Sequence, residues 1–370
     1  MYLESPAGVG YSMANDDTDL VQNDMTQSED AFVALQAWFE KFPERKTNPL
    51  WITGESYGGI YVPYLTWQIF QYNLQAKVEN STDVYNLKGF AVGNGATNWD
   101  YDVSPSFPET IYNFNLIPKP MLDSYNDNGC IVYFNNFRPT NGTSNETCTD
   151  LFNQMADLTN DLNWYDLYRP PNQLDTVKKP LKATDKERIG TVNIGGEEKT
   201  YKKGYTFAEY TPWIKNHPGA LSQHVFGDEV TTYINTAEVR TALNIPESVQ
   251  AYEECSGPVG ENWHYQEEAS EWIYKVLKAN NITMLHYSGD TDAAVPTYGT
   301  RRWIQNLNWE VKSAWAPWYT NGANGNQVSG YFEKYDGLTF ATVKGVGHMA
   351  PQWARQAMQE LITGYIHGNL

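Results

Sequence analysis

The stretch PLWITGESYGGIYVPY, at residues 49–64, places a serine between a short apolar run and a helical pattern. Residues 49–53 have the composition of a buried parallel strand, and a helical pattern runs from about 59 to 76. Ser56 stands between them in a G-x-S-x-G match, whose glycines permit a sharp turn. This context predicts a nucleophile elbow, with the backbone N–H of Tyr57 where an oxyanion would form.

The surrounding periodicity predicts an α/β fold with a mostly parallel central sheet. Residues 27–42 form an amphipathic helical pattern that ends at Pro43, and residues 87–93 form a second buried strand. Strand, helix and strand in this order indicate a βαβ unit. Further along the chain, the patterns predict helices at 236–244, 265–279, 297–307 and 351–366, and strands at 282–287 and 338–344.

Residues 100–232 differ in composition from the periodic segments on either side. Gly, Pro, Asn, Asp and aromatic residues dominate there, and hydrophobic periodicity is poor. The prediction is an inserted cap region at 100–232, carried on a core formed by residues 1–99 and 233–370.

A serine nucleophile needs a base and a carboxylate that orients it. Of the six histidines, His348 follows the predicted strand 338–344, and the loop after a parallel strand is where such a sheet places its active site. Asp292 follows the strand 282–287 in Ser-Gly-Asp-Thr-Asp, before a Val-Pro pair. Asp290 is the alternative acid. A D-x-D metal site is a second alternative, which no neighbouring ligand cluster supports. We expect no metal and no cofactor.

Ser56, Asp292 and His348 occur in the chain order of α/β-hydrolases. The blocks ESPAGVGYS (4–12), ITGESYGGIYVP (52–63), GFAVGNG (89–95), YSGDTDAAVP (287–296) and TVKGVGHMAP (342–351) resemble those of the serine carboxypeptidases. They extend from one end of the chain to the other, and the GESYGG block is more specific than a generic esterase elbow. The resemblance implies an α/β-hydrolase fold with an inserted cap subdomain.

The resemblance also implies an activity and a set of roles. The chain would remove C-terminal residues from peptides or proteins through an acyl-enzyme, favoured at acidic pH. Ser56, Asp292 and His348 would be the triad, and Tyr57 N–H an oxyanion donor. Glu55 would bind the substrate's terminal carboxylate as part of an acidic pair, and Met349 would border the leaving-residue pocket. The alternatives are an acyltransferase on the same scaffold, or an inactive homologue that acts as a binding or protective partner.

The family's Asn-Gly-Gly-Pro-Gly block, which supplies a second oxyanion donor, has no counterpart before Met1. We therefore expect a chain that lacks this segment and is weakly active alone. Cys130 and Cys148 both fall in the inserted region and are expected to pair. Cys255 lies where relatives hold a cysteine bonded to the absent block. The alternative is that Cys255 is a buried free thiol.

The net charge of −18 argues against a nucleic-acid partner, because phosphate binding needs a basic face. No apolar run is long enough to span a membrane. Sequons at Asn80, Asn141, Asn145 and Asn281 predict glycosylation. Together with the cysteines, they predict a lysosomal, vacuolar or secreted protein, whose signal peptide would belong to the absent segment. The sequence does not distinguish a monomer from a homodimer.

Overall fold

The structure is a computed structural model, and it describes residues 1–131, 145–169, 189–194, 197–202, 228–253, 255–322 and 325–370. The helices are α1 (Asp24–Lys41), α2 (Gly58–Val78), α3 (Phe107–Asn113), α4 (Lys119–Asp127), α5 (Glu146–Leu158), α6 (Asp228–Ile234), α7 (Ala237–Ala242), α8 (Gly257–Asn262), α9 (Glu271–Lys278), α10 (Thr297–Asn306), α11 (Ala350–Trp353) and α12 (Arg355–Ile366). The strands are β1 (Leu50–Glu55), β2 (Leu87–Gly93), β3 (Ile189–Ile194), β4 (Glu197–Lys202), β5 (Thr283–Gly289), β6 (Val311–Gly322), β7 (Gly325–Tyr335) and β8 (Leu338–Val343).

A six-stranded mixed sheet has the order β1-β2-β5-β8-β7-β6. The pairs β1–β2, β2–β5 and β5–β8 are parallel, whereas β8–β7 and β7–β6 are antiparallel. Because β1, β2, β5 and β8 run in one direction, the loops that leave their carboxyl ends meet at one edge of the sheet. These loops carry Ser56, Asp292 and His348, the candidate catalytic residues of the sequence analysis.

The central strands are buried on both faces, as their apolar composition predicts. In β5, Met284 packs in a large cluster on one side of the sheet, and Leu285 and Tyr287 pack in a smaller cluster on the other side. The large cluster includes Leu35 of α1 and Ile69 of α2. Successive side chains of a strand point to opposite faces, so each face of the sheet presents apolar side chains. Helices pack against both faces and bury them.

Local capping explains where the helices near the site begin. The Asn23 side chain accepts hydrogen bonds from the backbone N–H groups of Met25 and Thr26, and the Thr26 hydroxyl accepts one from the Asn23 N–H, which completes a capping box. With this capping box, α1 begins at Asp24, three residues before the predicted start at residue 27. The helix ends at Lys41, just before the predicted stop at Pro43.

The structure also differs from the predicted elements elsewhere. The predicted helix 265–279 begins only at Glu271. The predicted helix 351–366 is divided at Ala354, which lies outside helical geometry with φ −125° and ψ 52°. The long β6–β7 hairpin was not predicted at all.

The region predicted as a cap contains α3, α4, α5 and a hairpin of β3 and β4 among the residues that the structure describes. Phe107 and Trp164 of this region are fully buried in the same cluster as the core helices. The division into core and cap therefore stays a prediction. Within the described ranges, no helix combines the length and apolarity that a membrane crossing requires.

Candidate active site

Ser56 lies at a strained turn between β1 and α2. Its φ of 63° is in the left-handed region, which is uncommon for a residue with a side chain. Its N–H donates to the Gly93 carbonyl at 2.9 Å, and its own carbonyl accepts from the N–H groups of Gly59 and Ala96. A Cβ at Gly59 would lie 2.3 Å from the Ala96 oxygen, so only glycine fits there. The strain is thus held by neighbouring backbone, in the geometry of a nucleophile elbow.

Asp292 and His348 form a buried pair at the same edge of the sheet. The His348 Nδ1 lies 2.6 Å from Asp292 Oδ2, and both residues are at most 3% exposed. The other ring nitrogen, Nε2, is buried and has no hydrogen-bond partner among the described residues. A carboxylate on Nδ1 fixes the tautomer that leaves Nε2 able to accept a proton.

The Asp292 carboxylate is held by further donors. Its Oδ1 accepts the backbone N–H groups of Ala294 at 2.7 Å and Val295 at 3.2 Å. Its Oδ2 accepts the Asn94 side-chain amide at 2.8 Å, while the Asn94 Oδ1 accepts the Gly289 N–H. Asn94 was not predicted, although it lies in the GFAVGNG block directly after β2. Its φ of 41°, a conformation that asparagine tolerates better than most residues, turns it toward the acid loop.

Asp290, the alternative acid, has a different partner. Its Oδ1 accepts the Gly345 N–H at 2.7 Å, which ties the loop after β5 to the loop after β8. The structure therefore brings Asp292 to His348 and leaves Asp290 as a loop-to-loop contact. Among the described residues there is no cluster of three or more His, Cys, Asp or Glu side chains that could hold a metal ion.

His348 and Glu55 have shifted pKa values. Burial lowers the pKa of His348, but the charge and hydrogen bond of Asp292, with the charge of Glu55, outweigh it and leave the pKa above its ordinary value. Burial raises the pKa of Glu55 to about 7. The positive charge of His348 opposes that shift and the negative charge of Asp292 adds to it. Glu55 is thus electrostatically coupled to the pair.

The side chain of Tyr57 is held by a buried hydrogen-bond network and by aromatic packing. Its hydroxyl donates to Asp24 Oδ1 at 2.6 Å, and Asp24 also accepts the Trp263 indole N–H and the Gln266 backbone N–H. Asp24 is fully buried, and burial raises its pKa to about 7. The Tyr57 ring packs against four other aromatic rings, namely those of Tyr61, Trp99, Trp263 and Tyr265. The backbone N–H of Tyr57 lies at the N-cap position of α2.

Met349, the predicted border of the leaving-residue pocket, is half-buried and precedes α11. Of the predicted glycosylation sites, Asn80 and Asn281 are exposed. Asn145 is half-buried, and its side chain accepts the Cys148 N–H at the start of α5. Asn141 lies outside the described residues.

A disulfide joins Cys130 and Cys148, both of which are buried. Cys255 is exposed, so the alternative that it is a buried thiol is wrong.

The sequence of this chain is similar to those of known proteins. Residues 1–368 match the sequence model of the family described as serine carboxypeptidase. Serine carboxypeptidase 24 of Arabidopsis thaliana is 31% identical over 372 residues, covering 100% of this chain and 72% of that relative. Serine carboxypeptidase 1 of Hordeum vulgare is 30% identical over 386 residues, covering 100% of this chain and 73% of that relative.

A solved structure has the same fold. Kex1Δp, a prohormone-processing carboxypeptidase from Saccharomyces cerevisiae, superposes with a TM-score of 0.69 at 19% identity, covering 99% of this chain and 73% of that one.

Proposed function

This chain belongs to the serine carboxypeptidase family, and we propose that Ser56, Asp292 and His348 are its catalytic triad. The predicted α/β-hydrolase fold and the predicted class, a serine-type carboxypeptidase, are confirmed by the comparisons. They do not favour an acyltransferase or a non-catalytic binding partner. The observation that carries the residue assignment is the buried 2.6 Å contact between Asp292 and His348, at the sheet edge where Ser56 occupies its strained turn.

The proposed reaction removes the last residue of a peptide. Ser56 Oγ attacks the carbonyl carbon of the terminal peptide bond while His348 Nε2 takes its proton. His348 then gives this proton to the leaving amine, and the carbon–nitrogen bond breaks to leave an acyl-enzyme. Water, deprotonated by His348, attacks the ester carbonyl, and the ester bond breaks as His348 gives this proton to Ser56 Oγ, which releases the shortened peptide. Asp292 holds the imidazole in place and stabilises the imidazolium.

Tyr57 is proposed to supply a backbone donor for the oxyanion. The first N–H groups of a helix lack acceptors within that helix, and they carry its positive dipole end. Tyr57 occupies this position on α2, one residue after the nucleophile. Its side chain is fixed by Asp24, so the elbow backbone is anchored from below as well as by Gly93.

Glu55 is proposed to bind the carboxylate of the substrate's last residue, with Met349 beside the departing side chain. A carboxyl group with a pKa of about 7 is protonated at acidic pH and can then donate a hydrogen bond to a carboxylate. Ionised Glu55 would repel the same carboxylate. Substrate binding is therefore expected to be tightest below neutrality.

The proposed substrates are peptide or protein C-termini, and the proposed location is a lysosome, a vacuole or the outside of the cell. Support comes from the Cys130–Cys148 disulfide, because disulfides persist in oxidising compartments, and from the exposed sequons at Asn80 and Asn281. A protein that stays folded and binds its substrate at acidic pH would suit a lysosome or a vacuole.

Fluorophosphonate labelling at pH 5 and pH 7 tests the triad, with wild type compared with Ser56→Ala and with Ser81→Ala, a change at an exposed serine. We expect labelling of wild type and Ser81→Ala and none of Ser56→Ala. Cleavage is then compared between a peptide with a free C-terminus and the same peptide amidated. Equal labelling of Ser56→Ala would refute the nucleophile assignment, and equal cleavage of the amide would refute recognition of the terminal carboxylate.

A further inference from the structure

The short segment 163–169, which we term the strap, lies against both loops of the proposed triad. It follows α5 in the region predicted as a cap. The Ala293 N–H donates to the Trp164 carbonyl at 2.8 Å, and the Leu167 N–H donates to the Thr291 carbonyl at 3.0 Å. The residues on both sides of Asp292 are therefore hydrogen-bonded to the strap.

The strap also contacts the histidine loop. The His348 N–H donates to the Tyr165 carbonyl at 2.6 Å, and the Tyr165 ring lies 4.8 Å from the imidazole, centroid to centroid. A Cβ at Gly347 would lie 1.9 Å from the Tyr165 oxygen, so the loop can approach this closely only with glycine there. The strap thus bridges the loop of the acid and the loop of the base.

One side chain of the strap is directed at the acid loop. Asp166 is 2% exposed, and its Oδ1 accepts the Thr291 hydroxyl at 2.7 Å. The same oxygen accepts the Tyr168 N–H, and Oδ2 accepts from Arg169 Nε at 3.3 Å. The Arg169 guanidinium lies 4.5 Å from the centre of the Trp353 ring, on the helix after the histidine loop. Asp166 is thereby fixed in one position.

Thr291 is the residue before Asp292, and it is also 2% exposed. Its N–H donates to the Val346 carbonyl of the histidine loop at 3.2 Å, and its hydroxyl donates to Asp166. Any rotation of Thr291 about its backbone would move the Asp292 carboxylate relative to the imidazole. A misplacement of ~1 Å in a catalytic arrangement costs up to ~10²-fold in rate.

We propose that Asp166 and Thr291 are positioning residues of the triad. The Asp166 carboxylate fixes the Thr291 hydroxyl, and through it the distance between Asp292 and His348. The feature that matters is an acceptor at residue 166 and a hydroxyl at residue 291. This inference rests on the proposed triad, and it assigns to the strap a part in holding the triad, in addition to any contact with substrate.

Two pairs of variants isolate the contact. Thr291→Val keeps the shape and removes the hydroxyl, whereas Thr291→Ser keeps it. Asp166→Ala removes the acceptor, whereas Asp166→Asn keeps one. We expect Thr291→Val and Asp166→Ala each to lower kcat by about 10- to 100-fold, with KM within about twofold, and the double variant to be no worse than either. Thr291→Ser and Asp166→Asn should stay near wild type, as should Asp161→Asn, a change at an exposed residue nearby.

A proton NMR measurement separates this proposal from the reactivity of Ser56. The low-field resonance of the His348 Nδ1 proton reports its hydrogen bond to Asp292, and it can be followed with pH in a Ser56→Ala background. Thr291→Val should shift or broaden this resonance and lower the pKa of His348, because the charge and hydrogen bond of Asp292 are the main causes that raise that pKa. Thr291→Ser should leave it unchanged.

The positioning role is overturned if Thr291→Val and Thr291→Ser give the same kcat per probe-titrated site and the same His348 resonance. Additive losses in the double variant would also overturn it. If Asp166→Ala does not fold, the Thr291 pair decides the question. If wild type is not labelled by fluorophosphonate but the resonance responds as expected, the proposed function fails while the positioning contact stands.

Discussion

The acid loop holds a buried carboxyl group and the serine elbow a half-buried one, and the two differ in the hydrogen bonds that they accept. Asp292 accepts four hydrogen bonds, from His348, Asn94, Ala294 and Val295. Among the described residues, no side chain or backbone group donates a hydrogen bond to the carboxyl oxygens of Glu55, and burial raises the pKa of Glu55 to about 7. Two carboxyl groups that interact with the same histidine thus differ in how their charge is stabilised.

Between these two groups, the number of donors and the degree of burial change together, because the more buried carboxyl group has the donors. Asp292 is more deeply buried than Glu55, yet donors surround both of its carboxylate oxygens. Glu55 lacks donors, so desolvation acts without compensation and favours the protonated form. Active sites use such pairs to separate the group that stays charged from the group that exchanges or shares a proton.

The largest expected effect is the loss of the charge on Asp292. Asp292→Asn preserves size but presents an amide to His348 Nδ1, so the imidazole adopts the wrong tautomer. In a serine protease of another fold, the corresponding change lowers kcat by about 10⁴-fold, and we expect a loss of similar size in peptide cleavage. The matched control is Asp290→Asn, which alters the contact with Gly345, makes no change at the Asp292–His348 pair and should cost far less. Equal losses in the two variants would remove the distinction between these aspartates.

The second effect tests the donors of Asp292. Asn94→Ala removes the amide that donates to Oδ2 and leaves the Gly289 N–H without its acceptor. A hydrogen bond to a charged group contributes about 1.5–3 kcal/mol, which corresponds to a loss of roughly 10- to 100-fold in kcat if the carboxylate becomes misplaced. Asn86→Ala, which removes an amide-to-carbonyl contact at the other end of β2, is the control. An unchanged kcat in Asn94→Ala would mean that the remaining donors suffice.

The third effect concerns Glu55 and its pH dependence. Protonated Glu55 can donate to the substrate carboxylate, so KM should rise as pH increases through about 7, by up to about tenfold per unit above it. Glu55→Gln keeps a donor at every pH, and its KM should therefore be flat across this range. His348, Asp292 and Tyr287 are the titratable groups coupled to Glu55, so kcat is measured separately to remove their effects. A variant that retains the rise in KM would assign it to one of those groups.

Much of this site follows from the sequence for a local reason. Ser56, Asp292 and His348 each follow a short apolar run, and parallel strands place their following loops at one edge. The bounds of β2, Leu87–Gly93, agree with the predicted strand, because a mostly apolar run, interrupted only by Lys88, is a local signal. The family blocks raise the specificity of the same three positions.

The parts that were not predicted depend on contacts between distant residues. Asn94 meets Asp292 across 198 positions, and Asp166 meets Thr291 across 125, so no periodicity could reveal them. The β6–β7 hairpin was missed because its pairing has three register irregularities and Pro317 lies within β6, which together obscure the alternation of a strand. Asp166 also lies in a segment whose composition indicates only a loop.

The smallest expected effect extends the comparison to stability, through Asp24. Burial raises the pKa of Asp24 from 3.8, and those of Asp102 and Glu55 from 3.8 and 4.5, to about 7 in each case. Between the ordinary values and about 7, the folded state binds more protons than the unfolded state. The free energy of unfolding should therefore fall as pH rises through this window, by up to about 1.4 kcal/mol per pH unit for each group.

Asp24→Asn removes one of these titrations and should flatten the dependence of unfolding free energy on pH between 5 and 7. The slope carries the test. In Asp24→Asn, an amide NH₂ can take the place of the oxygen that accepts the Gln266 N–H. This loss of a hydrogen bond lowers the free energy of unfolding equally at every pH, so it does not change the slope. Urea unfolding at pH 5, 6 and 7 measures the slope, with Glu29→Gln, at an exposed position of the same helix, as the control. Identical slopes in wild type and Asp24→Asn would mean that Asp24 stays ionised in the folded protein. The hydrogen bonds from Tyr57, Trp263 and Gln266 would then stabilise its charge as the donors of Asp292 do.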